Sequence, residues 1–241
     1  MTTKKSNQAG IAEAECIGAY LGNELSILGF NMNFAPVADV ITVENNDDIG
    51  DRSFGTNPEL VAKMVAAEVK FIQQQNICAT LKHFPGNGSI EANTHQEKGI
   101  CSRSLEDMRQ CEFVPFKAGI DAGVDLVMMS HMSAVNLAGE EIPATFSSII
   151  VNKYLREELG FNKVVISDAL NMKAITDYFS PAEAAINAIN AGVDILLMSP
   201  NVNNAVQGVI EAVNNGMISE NRIDESVSRI ITLKIERGIL K

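Results

Sequence analysis

The chain is sparing with several residue types and patterns, and each scarcity narrows what it can be. Its four cysteines, Cys16, Cys78, Cys101 and Cys111, show no CxxC spacing. Neither a disulfide framework nor a zinc site built from Cys101 and Cys111 is expected from them. They read as free thiols, which suits a reducing compartment. No apolar run reaches the roughly 18 residues that a membrane-spanning helix needs. The basic opening Met1-Thr2-Thr3-Lys4-Lys5 is followed by no apolar segment, so it is not read as a signal peptide. The location expected from this is cytoplasmic, or extracellular if an export signal precedes this sequence. Basic residues number 19 against 30 acidic ones, a net charge of −11, and they form no run. A scattered minority of cations does not track a phosphate backbone, so nucleic-acid binding is not expected.

Histidine is scarce too. There are three in 241 residues, namely His83, His95 and His131, and each falls at or just beyond the end of an apolar run. One such histidine, or a strand-end lysine, can be merely solvated. It is their clustering that argues for chemistry.

What is abundant is alternation. Hydrophobic residues make up 46% of the chain, and they come in two rhythms. Short apolar runs predict buried strands over 31–40, 77–83, 124–130, 163–167 and 193–198. Helical spacing predicts helices over 8–29, 57–75, 104–122, 147–159, 181–191, 202–214 and 219–237. Their punctuation is conventional: Asn57 before Pro58 and Ser180 before Pro181 at helix starts, Gly29 and Gly160 at helix ends. Strands alternating with helices imply parallel pairing, and in such folds the strand C-termini share one face. Asp39, Lys82, His83, His131 and Asp168 should all lie on that face.

The stretch Thr80–His95 concentrates this. An apolar strand ends in Lys82-His83, breaks at Pro85, Gly86 and Gly88, and leads to His95. Asp168 ends another apolar strand. Lodged among Lys82, Arg52 and His83, it would stay ionised, because nearby cations favour the charged form. An ionised carboxylate can attack an anomeric carbon, and a histidine can protonate the departing oxygen. On the residues alone, the reading is an α/β barrel with a cationic mouth and one aspartate. Five strands are expected, whereas a closed (β/α)8 barrel has eight and typically roughly 250 residues.

The ordered motifs carry a resemblance. Phe34–Val40, Ile49–Gly55, Lys82-His83-Phe84-Pro85-Gly86-Asn87-Gly88 with Thr94-His95, Gly160–Met172 and Ile218–Val227 together resemble glycoside hydrolase family 3, in its β-N-acetylglucosaminidase branch. The similarity runs from about residue 8 to the end. It implies one (β/α)8 TIM-barrel-like domain over 1–241, incomplete at its amino terminus where the first strands and an acidic substrate-binding segment are missing. It implies a retaining exo-β-N-acetylglucosaminidase acting on terminal β-linked N-acetylglucosamine in peptidoglycan or chitin fragments. Asp168 would be the nucleophile and His95 the acid/base, with Arg52, Lys82 and His83 on the sugar hydroxyls. No metal or organic cofactor is implied. Met172 or Met128 could face the sugar ring. The alternatives are an inactive sugar-binding or scaffold remnant, or a phosphorylase using the same residues.

Two positions depart from the family pattern. Asn93 stands where an aspartate usually partners the histidine. An asparagine can orient an imidazole but cannot stabilise its charge as a carboxylate would. Asn87 stands where histidine is usual. An incomplete barrel also implies an open edge, and with it self-association or pairing with a separate amino-terminal segment.

Overall fold

A computed structural model describes residues 2–240, with side chains from residue 8 onward. Its centre is a five-stranded sheet. The strands are β1 (Met32–Asn33), β2 (Cys78–Phe84), β4 (Leu126–Met129), β6 (Val164–Ala169) and β7 (Ile195–Leu197), adjacent in that order. Every neighbouring pair is parallel. β3 (Ile100–Cys101) and β5 (Ser133–Ala134) pair apart from it, in a small two-stranded sheet. The result is an incomplete TIM-barrel-like half-barrel, open at β1 and at β7.

Nine α-helices are described, with a wider-wound helix between the fifth and sixth. They are α1 (Thr2–Ile27), α2 (Pro58–Gln74), α3 (Leu105–Gln110), α4 (Phe113–Asp121), α5 (Val135–Ala138), α6 (Lys173–Thr176), α7 (Pro181–Ala191), α8 (Val202–Asn214) and α9 (Glu220–Glu236). The Asn57 and Ser180 caps form as read from sequence, each side chain accepting a backbone N–H of the first turn.

Three expected elements differ, each for a local reason. The strand over 31–40 keeps a regular ladder only at β1. Pro36 has no N–H to donate, and beyond it the segment contacts β2 through single bonds such as Ala38 N–H to Lys82 O (2.7 Å). The single helix over 104–122 is two, α3 and α4, broken at Cys111. Pro115 lacks an interior helical donor, so it sits in the first turn of a new helix instead. The segment 147–159 is helical but π-wound over Ile149–Glu158, as in the five-residue bond from Leu159 N–H to Tyr154 O. The short β3, β5, α5 and α6 were not read from sequence.

Burial follows strand alternation. Val127, Met129 and Val165 point outward into the main core, against helices such as α2 through Val65, Val69 and Ile72. Leu126, Met128, Val164 and Ile166 point inward and form a second cluster with Cys78. Leu233 of α9 closes that cluster from the strands' N-terminal ends. A strand buried on both faces must be apolar throughout, which is why these runs stand out in the sequence. Met128 and Met172 are both buried, so each is core packing first.

Two buried aspartates at that closed end are ion-paired. Asp194, its side chain fully buried, meets Arg156 (2.9 Å), Arg229 (3.0 Å) and Arg222 (3.4 Å). Asp125 meets Lys163 (2.9 Å) and Arg237 (2.5 Å). These clamps pin α9 beneath the sheet.

α1 lies close on α2. A Cβ on Gly18 would sit 2.9 Å from the Glu68 carbonyl oxygen, so only glycine permits this approach. Glu68 itself is buried there, and desolvation pushes its carboxyl up to about 7. A carboxyl whose folded value is raised stabilises the fold fully only below its unfolded value. That contribution is lost as pH rises towards 7. Glu68→Gln is therefore expected to raise unfolding free energy at pH 8 by about 1–3 kcal/mol and to change it little at pH 4.5. Urea denaturation at the two pH values checks this.

Candidate active site

The site begins with Asp39, fully buried at the end of the segment beside β2. Burying a carboxylate is costly unless donors converge on it. Here they do. Its oxygens accept the His83 backbone N–H (3.1 and 3.2 Å), the Asn87 backbone N–H (2.7 Å) and the His83 ring at Nδ1 (2.8 Å). With Nδ1–H committed to Asp39, the free Nε2 of His83 is the atom presented to the mouth.

That Nε2 lies 3.9 Å from Oδ2 of Asp168. Asp168 stands in β6 near its C-terminal end, and its side chain is 14% exposed. Oδ1 accepts the Ala169 N–H at 2.7 Å, which fixes the carboxylate's orientation. Burial alone would raise its pKa. The positive charge available at His83, His131 and Lys82, with the Ala169 N–H, outweighs burial and holds the carboxyl below the usual aspartate value. Asp168 is thus an anion at neutral pH, and Oδ2 faces the mouth.

His131 follows β4 and is fully buried. Its ring spans Thr145 Oγ1 (2.9 Å, at Nδ1) and the Ala169 carbonyl (3.1 Å, at Nε2). Desolvation lowers its pKa. Asp168 opposes that shift, while His83 and His95 reinforce it. It braces the backbone just after Asp168 from behind.

Lys82 is half-buried, and burial together with the neighbouring Arg52 lowers its pKa against the pull of Asp168 and Asp39. Arg52 lies on the loop after Asp39, its side chain 43% exposed. Its guanidinium donates to the Asp48 carbonyl. Asp168, His83 and Lys82 are therefore brought together, with Arg52 beside them.

His95 sits on an exposed part of the loop between β2 and β3. β3 pairs with β5, which begins two residues after His131. The loop therefore returns to the same strand-end face as Asp168, and both residues act electrostatically on His131. Asn93 Oδ1 accepts the His95 backbone N–H (3.0 Å), so its side chain shapes the loop beside the imidazole.

Sequence reasoning missed the support behind these groups. Asn87 is almost fully buried. Its amide oxygen accepts the Ser130 hydroxyl, and its Nδ2 donates to Asp48 (3.1 Å). A histidine's usual place is thus filled by a side chain that donates and accepts at once. Gly88 is needed for close approach, because a Cβ there would lie 2.0 Å from the Val40 carbonyl oxygen. Only the run of Gly and Asn in an otherwise apolar neighbourhood hinted at this. Among the described residues, no group of three or more His, Cys, Asp and Glu is arranged to hold a metal ion.

The comparison with known proteins settles the lineage. The profile of the glycosyl hydrolase family 3 N terminal domain matches residues 3–233. The chain belongs to glycosyl hydrolase family 3. Among curated relatives of this family 3 chain, the beta-hexosaminidase A of Pseudoalteromonas piscicida is 34% identical over 238 residues, covering 90% of this chain and 40% of that protein. The beta-hexosaminidase of Stenotrophomonas maltophilia is 38% identical over 192 residues, covering 79% and 56%. The chain thus spans about half the length of these relatives. The solved family 3 beta-N-acetylglucosaminidase from Paenibacillus sp. superposes with a TM-score of 0.93 at 37% identity, over 95% of this chain and 44% of that one. All the motifs from Phe34 to Val227 fall within the family match.

Because Asp39 gathers three donors in a buried place, losing its charge should unfasten the mouth. Asp39→Asn is expected to lower unfolding free energy by about 2–4 kcal/mol, since its amide would turn a donor towards donors. Equilibrium urea denaturation reads this directly.

Proposed function

We propose that this family 3 domain is the catalytic part of a retaining exo-β-N-acetylglucosaminidase. The observation that carries the proposal is Asp168: an anion at the strand-end mouth, one oxygen fixed by the Ala169 N–H and the other facing the opening 3.9 Å from His83 Nε2. Relatives named beta-hexosaminidase, at 34% and 38% identity, support the substrate class. So does the likeness to a structure titled a beta-N-acetylglucosaminidase.

In this reading Asp168 Oδ2 attacks the anomeric carbon of a terminal β-linked N-acetylglucosamine. The bond to the leaving oxygen breaks, and His95 gives that oxygen a proton. A glycosyl-aspartate remains. His95, now neutral, takes a proton from water, and the resulting hydroxide displaces Asp168. Two inversions retain the anomeric configuration. Arg52, Lys82 and His83 hold the sugar hydroxyls. The low pKa of Asp168 serves the first step by keeping the nucleophile ionised and the second by making it a good leaving group. The natural substrates proposed are peptidoglycan or chitin fragments ending in this sugar.

Asp168→Ala is expected to lower release of chromophore from a 4-nitrophenyl N-acetyl-β-glucosaminide by roughly 10⁴-fold or more, with the sugar still binding. Retention of wild-type turnover in that variant would refute the assignment. Asn93→Asp retains an oxygen for the His95 backbone N–H and adds a negative charge close to the ring. It is expected to raise kcat and to shift the pH profile of kcat/KM; unchanged values of both would show that position 93 has no part in the proton transfer.

A further inference from the structure

The Asp48 carboxylate lies behind the mouth, with its side chain almost fully buried at 3% exposure. It reaches three separate parts of the site. Oδ2 accepts the Thr94 hydroxyl at 2.7 Å and the Asn87 Nδ2–H at 3.1 Å. Oδ1 lies 3.9 Å from the Arg52 guanidinium, which also donates to the Asp48 backbone carbonyl. Two residues earlier, the Asn46 amide donates to the carbonyls of Asn87 and Ile90, both at 2.7 Å. One short segment therefore holds the glycine-rich turn, the loop immediately before His95, and the arginine at the rim.

We propose that Asp48, acting through Thr94, is the positioning residue for His95. The inference rests on the reading of His95 as the proton donor. Its physical basis is specific. His95 itself stands on an exposed loop, whereas Thr94 beside it is completely buried. A loop of this kind is loose unless something inside the fold grips it. The Thr94 hydroxyl is the buried polar handle, and a charged acceptor makes the stronger bond. Fully satisfied buried networks also select one arrangement over its neighbours. Asp48 thereby sets where the imidazole stands relative to the leaving oxygen, while Asp168 is held independently by Ala169 and His131. A second consequence follows for Arg52, whose place depends on the same aspartate.

The test uses Thr94→Val, which keeps the shape and deletes the hydroxyl, with Thr94→Ser as the variant that should restore it. Two readouts are taken on the full chain. The first is hydrogen exchange of the backbone amides over residues 91–97, which should quicken in Thr94→Val and in Asp48→Asn and return to wild type in Thr94→Ser. The second is kcat/KM for aryl N-acetylglucosaminides of graded leaving-group strength. A mispositioned proton donor penalises poor leaving groups only. The expected loss in Thr94→Val is about 30–100-fold for phenol and under about 3-fold for 2,4-dinitrophenol, the span that general acid assistance covers. Asp48→Asn should show the same pattern with a raised KM, through Arg52. Unchanged exchange in Thr94→Val, or a loss equal across all leaving groups, would overturn the positioning role. Absence of turnover by the wild-type chain would instead overturn the functional reading, and exchange alone would then decide whether Asp48 grips the loop.

Discussion

The mouth of this domain depends on one buried anion. Asp39 sits in a place where an unpaired carboxylate could not be tolerated, and three N–H groups from one short turn converge on it. Satisfying that charge dictates the path of the chain from His83 to Asn87 and leaves a single ring nitrogen of His83 for the opening. Asn87, placed by the same bond, passes the constraint on to Ser130 and Asp48. A sequence of local obligations thus runs from the interior to the rim without passing through Asp168 or His95.

Asp168 is handled differently from the other buried carboxylates at the sheet ends. At the N-terminal ends, Asp125 and Asp194 are ion-paired with lysine and arginine, and the clamp fastens α9 beneath the inner core. At the C-terminal ends, Asp168 takes one backbone N–H and leaves its other oxygen facing the opening. Pairing gives stability and leaves nothing for chemistry; an incompletely bonded carboxylate among cations is the reverse. This division of labour between barrel ends is general in parallel β/α folds, and here it can be read atom by atom.

Legibility in the sequence tracked the range of the interactions involved. Strands β2, β4 and most of β6 were visible because burial on both faces forces continuous apolar runs, and the half-buried β1 and β7 because each lies within a longer apolar segment. The caps at Asn57 and Ser180 were visible because their partners lie three residues away. The misjudged boundaries trace to prolines: Pro36 ended a ladder that its apolar neighbours suggested would continue, and Pro115 restarted a helix that looked unbroken. The behind-the-mouth network was not visible. Its bonds join residues 39 and 46 positions apart, and nothing in the polar stretch around Asp48 distinguishes it from a solvated loop. Asn93 shows the same limit from the other side. The family pattern suggested a ring partner at this position, and only the fold shows that its oxygen also closes the loop on the His95 backbone N–H.

Much of the local order was determined by the sequence alone: where most of the strands and helices form and start, and that Lys82, His83, His131 and Asp168 stand at or just beyond strand C-termini. Periodicity and capping are properties of neighbouring residues, so they survive without a fold. Only the tertiary structure decided which of those ends meet, which carboxylate is saturated and which is left open, and that Asp48 lies inside rather than in solvent. Those outcomes depend on distances between segments far apart in the chain, and distance is what parallel pairing and burial supply.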